Sequence, residues 1–210
     1  MLGLVIAASL LSQAQLLPFE EYKSPYQPYP GTGIFADVLS HAPPQHRADK
    51  WKAGKPTWCH EVCHQVTADL RMATRKTYLY LGHNQCLSFD KQPAFTLEMA
   101  ARHVPYHDRG EQYYEYFLSP IANQWNTTPF FILDEWCAYR IDCKCAREVN
   151  ERTCIDNLRR FEGFGTALLV SCQLYDPHYP EYQKLRHFIN FLVEDCRNDN
   201  SIVTKSGRTK

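Results

Sequence analysis

Glu162-Gly163-Phe164-Gly165-Thr166 is the stretch on which the predicted fold turns. Before it, Cys154, Ile155, Leu158 and Phe161 recur at helical spacing, with Asn150 as a candidate N-cap and Gly163 as a C-terminal stop. After it, Thr166 is placed to cap a short apolar run, Ala167-Leu168-Leu169-Val170, that reaches Cys172. Cys154 and Cys172 each stand nine residues from Gly163, so two helices folding back at that glycine bring them level. The expectation is a helical hairpin closed by a Cys154–Cys172 disulfide, worth roughly 3 kcal/mol on a chain-entropy estimate. Further out, Asp176-Pro177-His178-Tyr179-Pro180 interrupts the chain, and Leu185, Phe188, Ile189, Leu192, Val193 and Cys196 then share one stripe of an amphipathic helix. Cys196 lies roughly 24 Å along that helix, at about 1.5 Å per residue. A Cys172–Cys196 bond, which needs Cα atoms within about 7 Å, is thereby excluded.

The other end of the chain predicts the compartment. Met1 to Leu11 is apolar and runs into Ser12-Gln13-Ala14, with the small Ser12 and Ala14 where a signal peptidase requires them, so residues 1–14 read as a signal peptide and the mature protein as secreted. The run is too short for a membrane span, and no later stretch offers the roughly 20 apolar residues that one needs. Nine cysteines fit an oxidising compartment and a disulfide framework. An odd count leaves one thiol over: either it joins a disulfide-linked homodimer, with Cys86 beside the polar turn Gly82-His83-Asn84-Gln85 a candidate, or it is a buried free thiol. Twenty-three basic and 23 acidic residues cancel and are interspersed, so the chain carries no electrostatic footprint for nucleic acid.

Residues 15–56 read as an extended arm. Pro18, Pro25, Pro28, Pro30, Pro43, Pro44 and Pro56 alternate with Tyr22, Tyr26 and Tyr29, and proline removes donors while fixing φ. Residues 57–197 are expected to form one all-α, disulfide-rich domain, and residues 198–210 a disordered polar tail.

Thr57 opens a helix that reaches Lys76, and within it His60-Glu61-Val62-Cys63-His64 matches H-E-x-x-H. Residues i and i+4 share a helical face, so both imidazoles can reach one Zn²⁺ while the glutamate between them acts as general base. On those five residues the sequence resembles a zincin, which implies His60 and His64 as metal ligands and Glu61 as the catalytic base. The metzincin continuation, a glycine at 67 and a histidine at 70, is replaced by Thr67 and Leu70. A third ligand could come from His83, Glu98, His103 or His107, and spacing selects none of them. A helical wheel sets Trp58, Val62, Val66, Leu70 and Ala73 on the apolar side and both histidines nearly opposite. That is the pattern of a solvated face beside structural cysteines, so the favoured expectation is no metal.

Other signals are weaker. Asn126-Thr127-Thr128 is an N-glycosylation sequon, with Pro129 directly after it. Tyr113, Tyr114, Tyr116 and Phe117 could form a sugar-binding platform, although aromatics at helical spacing are usually core. No nucleophile elbow, phosphate loop or dinucleotide fingerprint is present. The leading expectation is therefore a secreted, non-catalytic protein that binds an extracellular protein or matrix partner. The alternative is a secreted, peptidase-like zinc hydrolase built on His60, Glu61 and His64.

Overall fold

A computed structural model describes residues 17–44, 47, 55–120, 122–149 and 155–206; the side chains of 55–56, 155–157 and 199–206 are not among them. The expected signal peptide, Asn150 and Cys154 lie outside this set. The chain divides into two compact units: one comprises Phe19–Gln92 with Phe130–Asn157, the other Met1–Pro18, Pro93–Pro129 and Leu158–Lys210.

The first unit begins with β1 (Glu20–Glu21) and α1 (Ile34–His41). Then come α2 (Lys55–Thr74), β2 (Thr77–Gly82), β3 (Gln85–Phe89) and α6 (Phe131–Glu148). Its three strands lie in the order β1-β3-β2, antiparallel throughout, with Tyr80 opposite Cys86 and Tyr78 opposite Ser88. The β2–β3 connection is His83-Asn84, both at positive φ (52° and 58°), which is how a tight two-residue turn matches strand twist. Asp37 of α1 anchors that turn: its carboxylate accepts from the backbone N–H groups of His83 (2.7 Å) and Asn84 (3.1 Å) and from the Tyr80 hydroxyl. Glu148 does the same for the start of α1, accepting from Ile34 N–H (2.7 Å) and Phe35 N–H (2.9 Å). Those donors have no partner inside their own helix, and a carboxylate there also complements the helix dipole. Gly33 (φ 93°) permits the approach, since a Cβ would sit 2.6 Å from Glu148 Oε1.

The segment expected to be an extended arm thus carries a helix and a strand. Ile34, Val38 and Leu39 are buried at 2 % exposure or less, a helical spacing hidden by the surrounding prolines.

The second unit contains α3 (Leu97–Ala101), the short α4 (Glu111–Tyr113) widening into a π-helical turn (Tyr114–Leu118), and α5 (Ala122–Trp125). Its long elements are α7 (Ile155–Tyr175), whose first turn belongs to the other unit, and α8 (Tyr182–Ser206). An aromatic cluster forms its core: Phe164 lies 5.2 Å from Phe117 and 5.4 Å from Phe161, both edge-on. The stripe of α8 is as expected at Leu185, Phe188, Ile189, Leu192 and Cys196, all buried, whereas Val193 is half-buried. The helix continues to Ser206, through the first part of the expected tail.

Two expectations are corrected here. The predicted hairpin at Gly163 does not exist, because α7 runs unbroken through Gly163 and Gly165. Gly163 serves close approach: a Cβ there would run into the Asp108 carboxylate. Thr166 donates to the carbonyl of Glu162 (2.9 Å) one turn back and caps nothing. Cys172 stands about 25 Å up the helix from Ile155 at 1.5 Å per residue, and it is a buried thiol, so no Cys154–Cys172 bond closes a hairpin.

The second correction concerns the disulfide-rich framework. Cys59, Cys63, Cys86, Cys145 and Cys172 are buried thiols that behave as small hydrophobes, while Cys143 is disulfide-bonded. A mostly helical chain with a real apolar core, rather than a disulfide scaffold, is what the described residues show.

Candidate metal centre

His60 and His64 are on the face of α2 that meets α6, with side chains only 13 % and 23 % exposed. On the wheel this face looks solvated, since Thr67 and Arg71 share it. In the fold α6 covers it, presenting Asp134, Glu135 and the Tyr139 ring, which packs edge-on to His60 at 4.7 Å. The apolar side, with Trp58, Val62 and Val66 buried, faces the core as expected.

His60 Nε2 and His64 Nε2 are 3.0 Å apart. Glu135 Oε2 lies 3.6 Å from His60 Nε2, and Glu135 Oε1 lies 3.4 Å from His64 Nε2. Among the described residues these three form a group that could hold a metal ion, with one ligand atom from each within 4.8 Å of the others. A tetrahedral zinc with bonds of about 2.0–2.1 Å spaces its ligand atoms by roughly 3.3 Å, near the 3.0 Å between the two imidazole nitrogens, while the carboxylate faces each ring with a different oxygen. His64 Nδ1 donates to Asp134 Oδ2 at 2.7 Å. That bond fixes the ring and leaves Nε2 directed at the cluster, the usual role of a carboxylate behind a zinc-bound histidine.

The electrostatics follow from this geometry. Burial, assisted by the charge of His64, lowers the His60 pKa to about 4. Burial also opposes a charge on His64, but the Asp134 hydrogen bond and the carboxylates of Asp134, Glu135 and Glu61 outweigh it and raise that pKa to about 9. Without a metal, His64 therefore holds a proton on Nε2 and donates it to the bare Nε2 of His60. A cation placed there takes over the role of that shared proton.

The remaining candidates are spread through the fold. Glu61 sits at the exposed edge of α2, close enough for its charge to act on His64. His83 is in the β2–β3 turn held by Asp37; Glu98, His103 and His107 belong to the other unit. Cys63 points away from the imidazoles and donates to the Tyr80 carbonyl (3.8 Å), and burial pushes its thiol pKa well up. Burial likewise raises Cys86 to about 12, and at 1 % exposure its thiol is not presented at the surface. Asn126 lies in a half-buried turn, its Oδ1 accepting from Glu98 N–H at 3.0 Å. Of the aromatic candidates, Tyr116 and Phe117 are core, whereas Tyr114 is 59 % exposed.

No family model matches the chain, and no curated protein or solved structure matches it either. The site is therefore read from its own chemistry. Sequence reasoning missed Glu135 and Asp134. The available signal was two adjacent carboxylates inside an otherwise apolar helix start, Phe130 to Cys137, where buried charges demand partners.

Proposed function

We propose that this chain is a zinc-dependent hydrolase whose metal ligands are His60, His64 and Glu135. The third ligand carries the reading: two histidines and a glutamate form a common catalytic zinc set that keeps one position open. Zinc held there would act as a Lewis acid that polarises a carbonyl and acidifies a water. Asp134 orients His64 through Nδ1. Glu61, one residue after the first ligand, accepts the proton from the attacking water and passes it to the leaving group. His60 and His64 keep 13 % and 23 % of their side-chain surface exposed, so solvent reaches the pair.

Elemental analysis of the purified full chain tests the proposal together with hydrolysis of a peptide library. Near-stoichiometric zinc is expected, retained in Glu61→Gln and lost in the His60→Ala, His64→Ala pair. Hydrolysis should vanish in Glu61→Gln while the metal stays. Absence of tightly bound zinc, or full hydrolysis in Glu61→Gln, overturns the assignment.

A further inference from the structure

The two imidazoles of α2 are held in place by unlike means. His64 is fixed through Nδ1, which donates to Asp134 Oδ2 at 2.7 Å. Among the described residues, no hydrogen bond reaches Nδ1 of His60. Its polar contacts, His64 Nε2 at 3.0 Å and Glu135 Oε2 at 3.6 Å, both run through its own Nε2. An arriving cation takes the place of those contacts, so the ring cannot inherit its orientation from them.

Nor does the side chain aim itself. The χ2 torsion of histidine joins an sp³ to an sp² carbon, where the wells are broad and roughly two-fold, so rotamer preference leaves Nε2 without a direction. A neighbour has to supply it, and the Tyr139 ring is placed to do so. Its centroid lies 4.7 Å from that of His60, and the two planes meet at 80°. Near-perpendicular pairs about 4.5–7 Å apart are an arrangement that ring quadrupoles favour. The His64 ring makes a similar contact, 4.7 Å at 76°, but it is itself a ligand and belongs to the same helix.

The sequence of α6 explains why that ring arrives there. Glu135 and Tyr139 are four residues apart, and residues at i and i+4 lie on one helical face. The helix that presents Glu135 to the imidazoles therefore presents, one turn on, an aromatic wall to His60. With 13 % of the His60 side chain exposed, little water shares that contact. Granted the zinc ligands proposed above, on which this rests, we infer that Tyr139 is a positioning residue of the metal centre, its ring contact setting His60 with Nε2 toward Glu135 and His64.

Zinc affinity of the full chain, read by competition with a chromogenic chelator, tests this role. Tyr139→Ala and Tyr139→Leu should each weaken zinc roughly tenfold, the low end of what losing an outer support costs a metal site. Tyr139→Phe, which keeps the ring, should bind zinc as the parent does. Leucine retains apolar bulk, so a loss in Tyr139→Leu that is absent from Tyr139→Phe belongs to the ring and not to filled volume. Parent-like affinity in Tyr139→Leu overturns the role, as does a loss in Tyr139→Phe equal to that in Tyr139→Ala. A second measurement needs no metal. In the zinc-free chain labelled with ¹³C-histidine, the His60 ring signals should shift in Tyr139→Leu and stay near the parent's in Tyr139→Phe; unmoved signals in Tyr139→Leu overturn the ring contact. A parent that binds no zinc brings down the metal centre and this role with it, whereas a zinc-binding parent with an indifferent Tyr139→Leu brings down the role alone.

Discussion

The two units hold themselves together by different means. In the unit carrying α2 and α6, acidic side chains enter the interior and are matched one by one: Glu148 with the first amides of α1, Asp37 with the β2–β3 turn, Asp134 and Glu135 with the two imidazoles. In the unit carrying α8, the interior is rings and aliphatics, with Phe117, Phe161 and Phe164 in mutual edge contact. Buried charge is costly unless paired. Its concentration in one unit sets that unit apart from the aromatic one.

The largest expected effect falls on the scaffold. Phe164→Ala should lose about 3–5 kcal/mol of stability by denaturant titration, through lost burial and a residual cavity. A loss below about 1 kcal/mol would show that the ring cluster is not the centre of that core.

On the polar side, Asp134→Asn should lower zinc affinity by about 10–100-fold, since the His64 ring loses its charged partner. Competition with a chromogenic chelator reads this directly, and unchanged affinity would place Asp134 outside the metal centre.

Gly163→Ala separates the two accounts of that glycine. Against a helix-propensity gain of up to ~1 kcal/mol, the collision with Asp108 should leave a net loss of about 1–2 kcal/mol. Asp108→Ala should then restore the stability of the double variant. If both single changes simply add, the glycine has another purpose.

The smallest effect is a pH dependence. Burial pushes the Asp37 carboxyl up, but hydrogen bonds from His41 and Tyr80, the charge of His41 and the His83 amide outweigh it and hold its pKa below the ordinary value. Its contribution is therefore full above the unfolded carboxyl value, about 3.9, and is lost as pH falls through the lower folded value. Asp37→Asn should flatten the acid limb of the stability profile relative to the parent, by about 1 kcal/mol. An identical acid limb in both proteins would contradict the role assigned to this carboxylate.

Local pattern alone determined several features. The stripe from Leu185 to Cys196 repeats every three or four residues, and such a period has one structural solution, a helix with one buried face. The spacing of His60 and His64 likewise guaranteed that their side chains share a face of α2, because helix geometry follows from the chain without its neighbours. Glycine was ambiguous at that level. It serves equally to end a helix or to admit a neighbour, and only the position of Asp108 against Gly163 chose the second. Nor could cysteine count distinguish bonded pairs from buried thiols, since pairing depends on geometry between distant elements.

The site itself was decided by tertiary contact. Asp134 reaches His64 across 70 residues of sequence, a separation with no periodic signature. A face that looks solvated on one helix becomes a ligand wall only when another helix brings matching carboxylates to it. The sequence by itself determined which residues could bind a metal together on α2. The packing of α6 against α2 decided that Glu135 would stand beside both imidazoles, because complementarity between two helices is written in neither one.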